Sequence, residues 1–253
     1  MCQQNRPIGV LDSGMGGLTV LRPAARALPR ERFIYYGDNR NAPYGILPEG
    51  DILRHTLAAA DALMAEGIKL LLIACNTATS VAAEALRARL PIPVVAMEPA
   101  LKPASQIAGS GQILVLATPA TLALPRFQES MTRYGQRATA VPLRGLVEVI
   151  ENGETSGARV ESILRDALLP ALGAPTDAIV LGCTHYPFVR PVIEALAPGT
   201  PILDGTAGTL RQMERLLREG DLLRSEGNGG VLFRSSEPAA VARMETLYAR
   251  YFS

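Results

Sequence analysis

Leu70-Leu71-Leu72-Ile73-Ala74-Cys75-Asn76-Thr77 and Ala178-Ile179-Val180-Leu181-Gly182-Cys183-Thr184-His185 are two versions of one arrangement. Each is a short apolar run that stops at a cysteine followed by small polar side chains. Such a run is too short for a buried helix and reads as a strand covered on both faces, as in a parallel sheet. In open parallel sheets, ligands meet the chain at the C-terminal ends of the strands, which is where both cysteines fall.

The surrounding sequence fits this reading. Strand-like runs at Ile8–Leu11, Arg32–Tyr36 and Pro93–Ala96 alternate with helical patterns at Leu18–Ala27, Glu49–Glu66 and Thr79–Leu90. The alternation then recurs. Strands are expected at Ile113–Leu116, Arg137–Val141, Ala178–Leu181 and Pro201–Leu203, and helices at Thr121–Tyr134, Arg159–Leu169 and Phe188–Leu196. Ile8–Leu11 matches Ile113–Leu116 at nearly the offset that separates the two cysteine runs. The expected fold is therefore α/β: two similar domains with mostly parallel sheets and an active site in the cleft between them. A tail with a helix at Thr209–Glu219, a turn at Gly227–Gly230, a strand at Val231–Phe233 and a helix at Pro238–Tyr251 is too small for a domain of its own. The expected division is residues 1–97 with 210–253, and residues 98–209.

Composition narrows the function. The chain has 253 residues, 48% hydrophobic and 19% charged, which excludes disorder, collagen and coiled coil. A net charge of +1 with no basic stripe argues against a nucleic-acid partner. No apolar run approaches the ~18 residues of a membrane span, and the first residues lack a signal peptide's apolar core, so a cytoplasmic protein is expected. Three cysteines are too few for a disulfide framework, and Cys2, at the terminus, is expected to have no role. His55 and His185 are the two histidines, and no ligand spacing for a metal is present. The two lysines, Lys69 and Lys102, are poorly placed for a Schiff base, so pyridoxal chemistry is not expected.

The chemistry rests on the cysteine pair. Each Cys could be a small buried hydrophobe. Two of them at equivalent strand ends favour a function, since helix N-termini nearby stabilise a thiolate. Opposed thiols could form a disulfide, which a reducing compartment disfavours. They could instead remove a proton from one face of an acidic carbon and return one to the other, which is racemisation or epimerisation. Asp12-Ser13-Gly14-Met15-Gly16-Gly17 after the first strand lacks the third glycine of a dinucleotide fingerprint and the lysine of a P-loop. It reads as a turn whose N–H groups could hold a carboxylate, or as a tight turn with Asp12 capping a helix. Tyr36-Gly37-Asp38 through Ala42-Pro43-Tyr44-Gly45 is a loop at the same sheet end. Thr118 and Thr121 are the second half's counterparts, with helix capping by Thr118 the alternative to a ligand role. His185, two residues from Cys183, is read as acting on the chemistry, and His55 as structural or exposed.

Asp12-Ser13-Gly14, Gly16-Gly17-Leu18-Thr19-Val20, Asp38 with Pro43-Tyr44-Gly45, Ala74-Cys75-Asn76-Thr77-Ala78 and Leu181-Gly182-Cys183-Thr184-His185-Tyr186-Pro187 together resemble the glutamate racemases of bacterial cell-wall synthesis, in the aspartate/glutamate racemase family. The resemblance runs over residues 8–204 in order and spacing, and Phe233-Arg234-Ser235-Ser236 extends it into the tail. It implies that Cys75 and Cys183 are the acid/base thiols, tuned by Asp12 and His185. It implies substrate contacts from Asp12, Ser13, Tyr44, Gly45, Asn76, Thr77, Thr118, Thr121, Thr184 and His185. Glu151 is similar to an acidic residue the family brings near the site, with Glu148 competing for that place. The resemblance further implies no cofactor, no metal, a homodimer and glutamate as the small-molecule partner. A racemase for aspartate or another acidic amino acid, or a non-catalytic amino-acid-binding or inhibitory module, is the alternative.

Overall fold

Ile8–Asp12 (β1) is shielded from solvent along its whole length, and the chain turns through residues 13–17 into Leu18–Ala27 (α1) in the computed structural model, which describes residues 3–250. Cys2 and the last residue of the expected tail helix, Tyr251, lie outside them. Arg32–Gly37 (β2), Glu49–Ala65 (α2), Leu70–Ile73 (β3), Asn76–Arg89 (α3) and Val94–Ala96 (β4) complete a first series. Leu101–Ser105 (α4) leads into the second: Gln112–Ala117 (β5), Pro119–Ala123 (α5), Pro125–Tyr134 (α6), Ala138–Pro142 (β6), Leu146–Glu151 (α7), Ala158–Ala171 (α8), Thr176–Leu181 (β7), Arg190–Leu196 (α9) and Ile202–Asp204 (β8). The tail adds Thr206–Glu219 (α10), Gly230–Ser235 (β9) and Val241–Arg250 (α11).

Among the described residues the strands form two sheets, ordered β4-β3-β1-β2-β9 and β6-β5-β7-β8, with every neighbouring pair parallel. Taken from its other edge the second sheet is β8-β7-β5-β6, the order of the first without β9. The two halves are thus alike in topology, as the repeated pattern of the sequence implied. In each, the chain leaves the central strand toward one side and crosses back to the other. The C-terminal ends of β1 and β3, and of β5 and β7, therefore flank a gap from which the connections diverge, the place where parallel sheets bind ligands.

Alternate strand residues divide between two faces. Ile8 and Val10 join Leu114, Leu116 and Met213 in one cluster that runs through both halves. Leu11 packs with Ile52, Ala59 and Leu63 under α2 and α3, and Ile113 and Val115 pack with Leu101 and Phe127 under α4 and α6. Each such side chain contributes roughly 1.5–3 kcal/mol on burial. Burial on both faces is why the strands read as unbroken apolar runs rather than alternating ones.

Four expectations are corrected. The helix expected over Thr121–Tyr134 is two, because Leu124 takes extended backbone before Pro125, the conformation proline favours in the residue ahead of it. The helix expected from Thr79 begins at Asn76, directly behind Cys75. After Cys183 the chain makes a 3-10 turn, Tyr186–Val189, and α9 begins only at Arg190. The tail helix expected from Thr209 begins at Thr206. No described helix is long and apolar enough to cross a membrane.

Candidate active site

Cys75 is the N-cap of α3. Its Sγ accepts a bond from the Ala78 N–H at 3.4 Å, a place usually held by a hydroxyl or carboxylate. It lies 3.5 Å from Ser13 Oγ and is 5% exposed. Burial, and then the charge of Asp12, push this thiol up to about 11, against the pull of the Ala78 N–H and Ser13. The expectation that a helix N-terminus would favour the thiolate here is corrected: desolvation in this pocket outweighs the one N–H the helix supplies. Asp12 closes β1 fully buried. Its Oδ1 accepts from the Gly14 N–H at 2.9 Å, and its Oδ2 accepts from Thr184 Oγ1 at 3.1 Å. Burial pushes its carboxyl up, with His185 the chief opposing influence.

Cys183 is partly buried, with Sγ 3.7 Å from His185 Nδ1. On the far side of the ring, His185 Nε2 meets Glu151 Oε1 at 2.5 Å. Burial opposes charge on this imidazole, yet its contacts with Cys183 and Glu151 raise it well above the ordinary histidine value. Burial likewise opposes the Glu151 carboxylate. The hydrogen bond and charge of His185, with the Met15 N–H at 2.7 Å, hold it below the ordinary range. The two form a hydrogen-bonded pair in which each favours the charged form of the other. They reach across the cleft into the glycine-rich turn of the first half. A Cβ on Gly14 would overlap Glu151 Oε1, and one on Gly16 would overlap His185 Nδ1 and Thr184 Oγ1. These glycines are thus explained by close approach of the second half.

A chain of hydroxyls also crosses the cleft. Thr77 Oγ1 and Thr121 Oγ1 are 2.8 Å apart, and Thr118 Oγ1 donates to Thr121 Oγ1 at 2.9 Å. Thr118 additionally caps α5, as the capping reading expected. Tyr44 is buried, its hydroxyl donating to Asp38 Oδ2 at 2.6 Å, and burial with the Asp38 charge keeps it protonated. Asn76 gives its Nδ2 to Met97 Sδ at 3.9 Å, while its buried Oδ1 has no protein partner.

Ser13, Tyr44, Gly45, Cys75, Asn76, Thr77, Thr118, Cys183, Thr184 and His185 line one small cavity, with Pro43 and Val147. Its free space is about 10 Å³, room for roughly one water. Asp12, Thr121 and Glu151 stand directly behind the wall through the contacts given above. Of the two competing glutamates, Glu151 meets His185, whereas Glu148 lines the outer groove with Ile46 and Arg144. His55 lies half-buried on α2, its ring 6.3 Å from that of Tyr44. The sequence reading missed Pro43, Val147 and Asn39, whose Nδ2 donates to Glu151 Oε2 at 3.3 Å. Pro43 was within reach beside Tyr44, and Val147 through the helical spacing of Leu146, Val147, Val149 and Ile150. Nothing local marks Asn39. No arginine or lysine lines the cavity.

This chain brings two cysteines, from matching strand ends of two like halves, to one cavity. It belongs to the Asp/Glu/Hydantoin racemase family, whose pattern matches residues 8–213, and is an enzyme of the isomerase class. The particular resemblance is to proteins named glutamate racemase. That of Clostridium acetobutylicum is 44% identical over 226 residues, covering 88% of each chain. The Escherichia coli glutamate racemase structure, in complex with L-glutamate and the activator UDP-MurNAc-ala, is 29% identical with a TM-score of 0.83, covering 97% of this chain and 95% of that one. The Francisella tularensis structure, in complex with D-glutamate, is 28% identical with a TM-score of 0.83 over 97% and 94%.

Proposed function

We propose that this chain interconverts L- and D-glutamate by proton transfer between the α-carbon and two cysteines. The observation that carries the proposal is that Cys75 and Cys183, from equivalent strand ends of different halves, line one cavity. Relatives named glutamate racemase, with the L- and the D-enantiomer bound in solved structures, support the choice of substrate.

In the forward reaction one cysteine, as thiolate, takes the α-proton from one face. The other, as thiol, gives its proton to the opposite face of the carbanion-like carbon. The two have then exchanged protonation states, and solvent restores them. The α-proton of an amino acid is weakly acidic, so the carbanion needs donors around the α-carboxylate. Ser13, the turn after β1, Thr77, Thr118, Thr121 and Thr184 supply neutral donors for two carboxylates, and the Asn76 Oδ1 acceptor suits the ammonium. Tyr44 and Gly45 shape the same wall. Asp12 and the His185–Glu151 pair serve as the groups that exchange or steady protons behind each thiol. The chemistry needs no cofactor or metal.

D-glutamate supply for peptidoglycan and a homodimer rest on the resemblance. A cytoplasmic location and a division of the chain into residues 1–97 with 210–253 and 98–209 rest on the sequence pattern. The division is supported by β9 joining the first sheet.

The test is a chiral assay of the purified protein with L-glutamate, L-aspartate and L-alanine. The proposal expects rapid D-glutamate formation, little D-aspartate and no D-alanine. A side chain without the second carboxylate leaves buried donors unpaired, which sites of this kind penalise by orders of magnitude. Faster turnover of aspartate would move the assignment to that substrate. No turnover of any would leave a binding module.

A further inference from the structure

Cys183 lies at the end of a hydrogen-bonded line that begins in the C-terminal tail. The Glu237 N–H donates to Ser235 Oγ at 3.0 Å, and that hydroxyl donates to Asn39 Oδ1 at 2.9 Å. Asn39 Nδ2 then donates to Glu151 Oε2 at 3.3 Å, and Glu151 Oε1 meets His185 Nε2, whose ring touches Cys183. The line crosses from β9, through the loop after β2, to α7 and the loop after β7. Its polarity is set at the tail. The Ser235 oxygen is occupied by a backbone donor, so its proton goes to Asn39. Asn39 then has its oxygen engaged and must turn its NH2 toward the carboxylate. Gly37 makes the space: a Cβ there would sit 2.7 Å from Asn39 Oδ1.

We propose that Asn39, oriented by Ser235, is a positioning residue that fixes the Glu151 carboxylate against His185 and so governs the proton traffic of Cys183. This rests on the two-cysteine reading above. Without the amide, Glu151 keeps the Met15 N–H and His185 on one oxygen but loses its partner on the other. It can then rotate off the imidazole and take up a proton more readily. The titratable groups that face Glu151 are His185 from the β7 loop, Asp12 from β1 and Tyr35 from β2. None is altered by changes at Asn39 or Ser235. The tail strand is then part of the catalytic apparatus and not only a cover for the edge of the first sheet.

The experiment compares Asn39→Ala, Asn39→Asp and Ser235→Ala with the unaltered protein. In Asn39→Ala, kcat should fall about tenfold with KM for glutamate nearly unchanged, a part of the ~10²–10⁴ a positioned acid–base group contributes. The acid limb of the kcat profile should move up by roughly one to two units, the worth of a lost hydrogen bond to a charge. Asn39→Asp keeps the shape and puts an acceptor where the donor stood, so its limb should move further. Ser235→Ala should move it in the same direction by less. A kcat loss that leaves the acid limb in place, or an Asn39→Asp profile that matches the unaltered one, would overturn the proposal. A second readout does not depend on turnover. His185 and His55 are the two imidazoles, so the nitrogen shifts of His185 can be followed by NMR as Glu151 titrates. The same upward move is expected there in Asn39→Ala, and its absence would overturn the proposal. If the unaltered protein racemises none of the three amino acids while Asn39→Ala still shows this NMR shift, the two-cysteine reading fails and the positioning line stands.

Discussion

At the residue scale, the two thiols have unlike surroundings. Cys75 is buried beside Asp12 and pushed up to about 11, so burial favours its thiol form. Cys183 is less buried and touches an imidazole that can exchange protons with it. Folding therefore favours protonated Cys75. The stability it confers is complete below the ordinary thiol range and is lost as pH rises toward 11, on the order of 2 kcal/mol across that interval. Cys75→Ser separates this property from structure. Serine is a better N-cap than cysteine and can accept from the Ala78 N–H, so α3 should stay formed. We expect thermal stability at neutral pH within a few degrees of the unaltered protein, a flatter alkaline loss, and racemisation reduced by at least a thousandfold because a hydroxyl is far less acidic than a thiol. Thermal melts across pH, together with the chiral assay, check all three. Near-normal turnover would remove Cys75 from the mechanism.

At the level of elements, the glycine-rich turn between β1 and α1 is the socket for His185 and Glu151. Gly16→Ala forces a methyl into His185 Nδ1 and Thr184 Oγ1, and the second half must back away. A displacement of about 1 Å at a catalytic group commonly costs on the order of 10² in rate. We expect that loss in kcat from Gly16→Ala with the circular dichroism spectrum unchanged. An active Gly16→Ala enzyme would mean that the close approach of His185 and Thr184 to this turn is not needed for turnover. This socket also marks the limit of what the sequence reveals. The cysteine blocks, Asp12 and His185 were legible because strand, break and reactive group lie within a few consecutive residues. The glycines were legible as a turn but not as clearance, because what they clear comes from α7 and the β7 loop. Glu151 and Glu148 sit on the same helix three residues apart, and only the meeting with His185 separates them. The Pro125 break and the short α7 carried local signals, a pre-proline residue and helical spacing of apolar side chains. Asn39 carried none, since its partners are 112 and 196 residues away.

Across the whole molecule, chemistry and stability are kept at opposite ends of the first sheet. Lys69, just before β3, and Glu31, just before β2, form a buried ion pair at 2.6 Å. Lys69 Nζ also donates to the Gln4 and Leu222 carbonyls, and Glu31 accepts from the Arg224 N–H. This cluster ties the N-terminal segment and the tail to the strand starts. Lys69→Met leaves the Glu31 carboxylate buried without its cation, a loss of roughly 3–5 kcal/mol. Chemical denaturation should report that destabilisation, while kcat measured well below the melting temperature stays near normal. A large fall in kcat in the folded variant would mean that the two ends are coupled.

The same scale holds the central claim, that two halves bring one thiol each to opposite faces of a single carbon. With one exchanging base, the abstracted proton could return to either face, and solvent hydrogen would enter substrate and product together. With two, the abstracted proton stays on the cysteine that took it, and the product receives the proton the other cysteine last drew from water. The most direct measurement starts from L-glutamate in heavy water and reads α-carbon deuterium in both enantiomers at low conversion. We predict D-glutamate carrying deuterium at the α-carbon, with recovered L-glutamate unlabelled until the reverse reaction sets in. Substantial early deuterium in the recovered L-glutamate would contradict the opposed roles of Cys75 and Cys183, even if both proved essential.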